Sequence, residues 1–171
     1  MGSDFTPEQN RILTDIRKYL EDVKSISKTP SRMDKDQRNF YARSMVLFAL
    51  SNRLIDLGRE TVYSRGYAGP EEELKNKVIF KRLSDYGVIS LAIRQDMIHL
   101  VDFRNQCSHH FHEVTKEDIQ GIIESLPQYE LFVQNMCEEL GRVNLITKRQ
   151  MILLAGIILL ILVITLIFFF S

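Results

Sequence analysis

Apolar residues recur at helical spacing through most of this chain, and nowhere alternate with the period of two that marks a half-buried strand. Thr6-Pro7-Glu8-Gln9 is a start signal, with Thr at the N-cap, Pro at the first helical position and Gln at the third. Ile12, Leu13, Ile16, Tyr19, Leu20 and Val23 follow on one face, and Lys28-Thr29-Pro30-Ser31 breaks the helix. Asp34 or Asp36 is placed to cap a second, long helix. Its Phe40, Val46, Leu47, Leu50, Leu54, Ile55, Leu57 and Val62 cover much of its circumference, which predicts the central helix of a bundle. It ends between Gly66 and Pro70.

A third helix is predicted from about Glu71, with Leu74, Val78, Ile79 and Leu83 inward. Tyr86-Gly87-Val88-Ile89-Ser90 turns the chain, and Ser90 caps a fourth helix with Ile93, Met97, Leu100 and Val101 on one side. A fifth runs from about Lys116 to Arg142, along Ile119, Ile122, Ile123, Leu126, Tyr129, Val133, Met136 and Leu140. Pro127 lies inside that run and predicts a kink. The expected fold is therefore all-α, an antiparallel bundle of about five helices over residues 1–145.

Residues 146–171 read differently. From Met151 to Phe170 no charge interrupts the apolar run, and about 20 helical residues match the thickness of a bilayer core. Arg142, Lys148 and Arg149 precede the run and only Ser171 follows it. The positive-inside rule then predicts a single-pass, tail-anchored protein whose preceding domain faces the cytoplasm.

Charge narrows the function classes. With 22 basic and 22 acidic side chains the chain is neutral overall, unlike a general nucleic-acid binder. A local site for RNA remains compatible with that balance. Two cysteines, Cys107 and Cys137, show no disulfide framework and read as reduced thiols.

Candidate chemistry concentrates where the fourth helical pattern runs out. Arg104-Asn105-Gln106-Cys107-Ser108-His109 places a permanent cation, an amide and an imidazole within six residues, and His110 and His112 follow. Arg can grip a phosphate with a planar fork of donors. His can take and return a proton near neutral pH. Five residues of helix turn through about 500°, so Arg104 and His109 point some 140° apart. Either the helix ends between them, or the site draws on two chains. Arg104 also continues the stripe Ile93-Met97-Leu100, which predicts a half-buried seam. On spacing alone the same residues also read as a helix-end cation, a capping amide and a polar turn. Cys107, His109, His110 and His112 are all capable metal ligands, but no second pair at zinc-like spacing accompanies them.

The surrounding blocks carry more. Leu54-Ile55-Asp56-Leu57, Gly69-Pro70-Glu71, Leu83 to Ser90, Val101 to His109 and Leu126-Pro127-Gln128-Tyr129, in that order, resemble the HepT-type HEPN toxins over roughly residues 35 to 140. The resemblance implies a homodimer with its site at the seam and metal-independent endoribonuclease activity. It also implies a nucleotidyltransferase-like antitoxin as partner. Arg104 and His109 fill the family's catalytic pair, and Asn105 the polar position after the Arg. The products implied are a 2′,3′-cyclic phosphate and a 5′-hydroxyl. Family members often carry Tyr two residues after the His, where the antitoxin can attach a nucleotide; here that residue is Phe111, which has no hydroxyl. The expected function is thus a membrane-anchored RNA endonuclease toxin needing no cofactor. The alternative is a non-catalytic HEPN-like dimer that tethers an RNA, nucleotide or protein partner to the membrane.

Overall fold

Thr6 and Gln9 behave as their spacing predicts. The Gln9 amide N–H donates to Thr6 Oγ1 at 3.2 Å and the Thr6 N–H donates to Gln9 Oε1 at 3.0 Å, closing a capping box. The computed structural model describes residues 5–28 and 37–170, with side chains described for 5–26, 37–142, 152, 153 and 155–158. Among these residues the helices are α1 (Pro7–Lys28), α2 (Gln37–Ser64), α3 (Asn76–Asp85), α4 (Leu91–His109), α5 (Lys116–Glu124) and α6 (Leu126–Phe170), with a 3-10 turn at Phe111–Glu113. The predicted capping residues Asp34 and Asp36 lie outside the described residues.

Helix α2 packs against each of the other five helices, as its broad apolar surface predicts. Paired contacts give the directions. Gln9 meets Glu60 and Asp15 meets Arg53, so α1 runs antiparallel to α2. His99 lies against Gly121 while Asp96 accepts from Ser125 Oγ, so α4 and α5 are antiparallel. Leu50, Leu54 and Leu57 are wholly buried, each worth about 2 kcal/mol in transfer from water. The hydroxyls that share this interior, Ser51 and Thr61, donate to the carbonyls of Leu47 and Leu57 at 2.7 and 2.9 Å. A helix can therefore be buried on nearly all sides without stranding a polar side chain.

Three expectations are corrected. Helix α3 begins at Asn76 rather than near Glu71. The acidic run is held by other partners: the Glu72 carbonyl accepts from Tyr63 Oη, and its carboxylate pairs with Arg82 at 2.6 Å. The expected kinked fifth helix is two helices. The chain leaves α5 at Ser125 and re-enters at Leu126, so Pro127 occupies a first turn, where its missing N–H costs nothing. Finally, no helix among the described residues is long and apolar enough to cross a membrane. This overturns the expectation of a single-pass, tail-anchored protein with a cytoplasm-facing domain. Within 151–170 six side chains are described, against the roughly 20 consecutive apolar residues that a bilayer requires. The other side chains of that run lie outside the described residues.

Contacts bind α6 to α2 and to the turn that follows it. A Cβ added at Gly58 would lie 3.1 Å from Ile79, 3.2 Å from Phe80 and 3.4 Å from Phe132, so this glycine lets α3 and α6 close on α2. Farther along, the buried Glu139 carboxylate meets Arg65 at 2.6 Å, Arg142 at 3.1 Å and Tyr67 Oη at 2.7 Å. Burial works against its charge, but the Tyr67 hydrogen bond and the Arg65 guanidinium outweigh it and hold the carboxyl below its usual range.

Gly58→Val is expected to destabilise the fold by about 2 kcal/mol through overpacking. Gly121→Ala, whose new methyl would meet only His99 at 3.6 Å, should instead stabilise it by up to about 1 kcal/mol. Urea denaturation of the two variants checks this. A depressed folded-state pKa stabilises above the unfolded value and is lost as pH falls through the folded one. Glu139→Gln should therefore lower Tm near pH 7, and the deficit should shrink as pH falls below the carboxylate range, as read by calorimetry at both pH values.

Candidate functional site

Ser90 starts the helix that carries the candidate residues: its Oγ accepts from the Ile93 N–H at 3.2 Å. Ile93, Met97, Leu100, Val101 and Phe103 are buried, and Arg104 emerges one turn past Leu100 in a half-buried position. Its guanidinium crosses to α2. Arg104 Nε donates to Asn52 Oδ1 at 2.9 Å, a terminal nitrogen reaches Asn105 Oδ1 at 3.5 Å, and the group lies 5.7 Å from the Phe48 ring centre. A charge on an apolar stripe is thus satisfied by two amides and an aromatic face rather than by a carboxylate. An acidic partner would neutralise the cation; these partners leave its charge available to an anion.

Asn52 was not singled out in the sequence. The available signal was an amide of low helix propensity inside the central helix, and that signal does not say which side chain it serves.

His109 closes α4 and is exposed. The helix continues unbroken through Arg104 and His109, and His110 leaves it at φ −139°, ψ 44°. The alternative of a helix break between Arg104 and His109 is therefore removed. Within one chain the two residues diverge by about 140°, and no hydrogen bond or ion pair joins them among the described residues. Asn105 is half-buried and turns its carbonyl oxygen toward Arg104.

The residues that follow are solvent-facing. His110 and His112 both approach the Glu113 carboxylate, at 3.9 and 3.6 Å, and all three are exposed. Phe111 turns inward, and its ring stacks on Tyr41 of α2. Burial, followed by the nearby Asp118 charge, pushes the Cys107 thiol up to about 11, so the thiolate is scarce at neutral pH. Among the described residues no group of three or more His, Cys, Asp or Glu is arranged to hold a metal ion.

A polar cleft of about 340 Å³ opens elsewhere, between Tyr86, Asn135 and Arg142. It lies beyond the C-terminal end of α2, roughly 18 Å along that helix from Asn52.

Known proteins share this fold. A chain of the tri-AMPylated Shewanella oneidensis HEPN toxin in complex with MNT antitoxin superposes with a TM-score of 0.68 at 14% identity, covering 77% of this chain and 98% of that one. A chain of a toxin-antitoxin complex with AMP-PNP gives 0.66 at 14% identity, covering 75% and 96%. A chain of an MntA-HpeT toxin-antitoxin mutant gives 0.65 at 13% identity, again covering 75% and 96%. At these identities the likeness is one of fold. No curated protein matches. The family model described as Ribonuclease HepT-like matches residues 16–136, which contain α2 to α5, the Arg104–Asn52 contact and His109, and the chain belongs to this HepT-like family.

Proposed function

We propose that the chain is a metal-independent endoribonuclease toxin that works as a homodimer, with Arg104, Asn105 and His109 at its seam. The observation that carries this is the Arg104 guanidinium, held in a half-buried position by Asn52 and Asn105 with no carboxylate paired to it among the described residues. Such a group is suited to a phosphate whose negative charge grows during reaction. The exposed imidazole of His109 is suited to proton transfer. The unbroken helix that separates the two supports a site shared between chains: a two-fold axis beside α4 brings one copy's Arg104 toward the other's His109.

In this reading His109 takes the proton of a ribose 2′-hydroxyl, whose oxygen attacks the adjacent phosphorus. The bond to the 5′-oxygen breaks, and the His109 imidazolium returns the proton to that oxygen, which leaves as a hydroxyl. The products are a 2′,3′-cyclic phosphate and a 5′-hydroxyl. Arg104 stabilises the charge on the phosphoryl oxygens, and Asn105 orients the Arg104 fork. The partner is a nucleotidyltransferase-type antitoxin, as in the complex of the Shewanella oneidensis toxin with its MNT antitoxin. Phe111 offers no hydroxyl on which such a partner could place a nucleotide. A second reading, a dimeric binding module without catalysis, draws on the lack of contact between Arg104 and His109 in one chain.

Incubating the protein with single-stranded or transfer RNA in EDTA separates the two. His109→Ala and Arg104→Ala should each reduce cleavage at least about a hundredfold while the far-UV spectrum stays helical. Full activity in both variants would overturn the nuclease reading. Asn52→Ala should lower kcat about tenfold by freeing the guanidinium, and Asn52→Asp, whose carboxylate holds the guanidinium but neutralises its charge, should lower kcat at least as far.

A further inference from the structure

Helix α2 brings more than Asn52 to the candidate site. Tyr41, Phe48 and Asn52 are spaced by seven and four residues, which places all three within about 20° of one direction around the helix. The face that holds Arg104 therefore continues two turns, about 10 Å, to Tyr41. From the other side, Phe111 arrives two residues after His109. The two chain segments meet in an aromatic stack: the Tyr41 and Phe111 rings lie 5.5 Å apart and 22° from parallel. Phe40 stands edge-on to both, at 5.9 Å and 73° from Tyr41 and at 6.2 Å and 65° from Phe111. The Gln37 amide donates to Tyr41 Oη at 3.1 Å. The ring is backed on one side by these contacts, and Tyr41 remains 45% exposed.

Resting on the RNA-cleaving reading above, we propose that Tyr41, backed by Phe111 and Phe40, is a shelf on which one unpaired nucleobase of the RNA stacks beside the Arg104–His109 site. Phe111 covers one face of the tyrosine, and a base extends the stack on the other. Stacking suits a substrate read as single strand, because every base presents a π-face and only unpaired bases can be splayed onto a ring. Charge agrees: from Gln37 to Phe48 there is no Asp or Glu, while Arg38 stands three residues before the tyrosine, about 60° from it around the helix. A backbone following this face passes from the shelf toward the Arg104 guanidinium. The missing hydroxyl at position 111 then has a use, since an apolar ring there supports Tyr41 from behind.

The other occupant of an exposed ring at this place is a second copy of the chain, and the test distinguishes them. Full-length His109→Ala protein, which leaves RNA intact, is titrated against a fluorescent single-stranded RNA of mixed sequence and against the same RNA as duplex. Adding Tyr41→Ala or Tyr41→Leu should weaken single-strand binding about tenfold or more and leave duplex binding within twofold. Adding Tyr41→Phe, which keeps the π-face, should bind like the parent. Tight binding by the leucine variant would overturn the proposal, because leucine keeps bulk but not the ring face. So would a shift from dimer to monomer in the alanine variant by light scattering, which assigns the ring to the second copy. Cleavage by the wild-type chain with Tyr41-insensitive binding overturns the shelf alone. Tyr41-dependent binding without wild-type cleavage overturns only the nuclease reading.

Discussion

Helix α2 has to be buried along most of its length and still offer polar groups at one edge. Its interior sides carry Leu50, Leu54 and Leu57, and the hydroxyls among them are satisfied by carbonyls one turn back. Gly58 removes the side chain that would otherwise hold α3 and α6 away. With those sides closed, the edge bearing Tyr41, Phe48 and Asn52 is left to meet α4 and the turn after it. Everything that positions Arg104 depends on that edge.

The energetics of Arg104 follow from its partners. A hydrogen bond to a charged group contributes about 1.5–3 kcal/mol, and the bond to Asn52 offsets part of the desolvation of a half-buried guanidinium. A carboxylate at position 52 would hold the cation more firmly and compete with a phosphate for it. An amide holds its position and leaves its charge. Glu139 shows the opposite arrangement in the same molecule: two arginines and a tyrosine converge on one buried carboxylate, so its charge is compensated and α6 is fastened to the turn after α2.

What could be read in the sequence is what local chemistry decides. The Thr6–Gln9 capping box, the Ser90 cap and the apolar stripes of α1, α2 and α4 depend on residues within one turn of each other, and they stand as expected. The start of α3 depends on Tyr63 and Arg82 reaching Glu72 from other elements, which spacing does not reveal. Pro127 could be read as a kink or as a first turn, and the bond from Ser125 to Asp96 accompanies the second outcome. Within the site, Arg104 at a seam was legible because it continues an apolar stripe. Asn52 and Tyr41 were not, since each meets its partner across more than fifty residues of chain. The apolar run at 151–170 led to a membrane assignment that the described residues do not bear out.

The claim that unites these features is that the site belongs to two chains, because α4 points Arg104 and His109 apart. Mixing separately inactive Arg104→Ala and His109→Ala proteins under conditions that allow subunit exchange tests it most directly. If each site takes its Arg from one copy and its His from the other, half of the dimers are mixed and one of their two sites is intact. RNA cleavage should then return to about a quarter of the wild-type rate. A mixture that stays as inactive as its components, despite demonstrated exchange, would contradict the account.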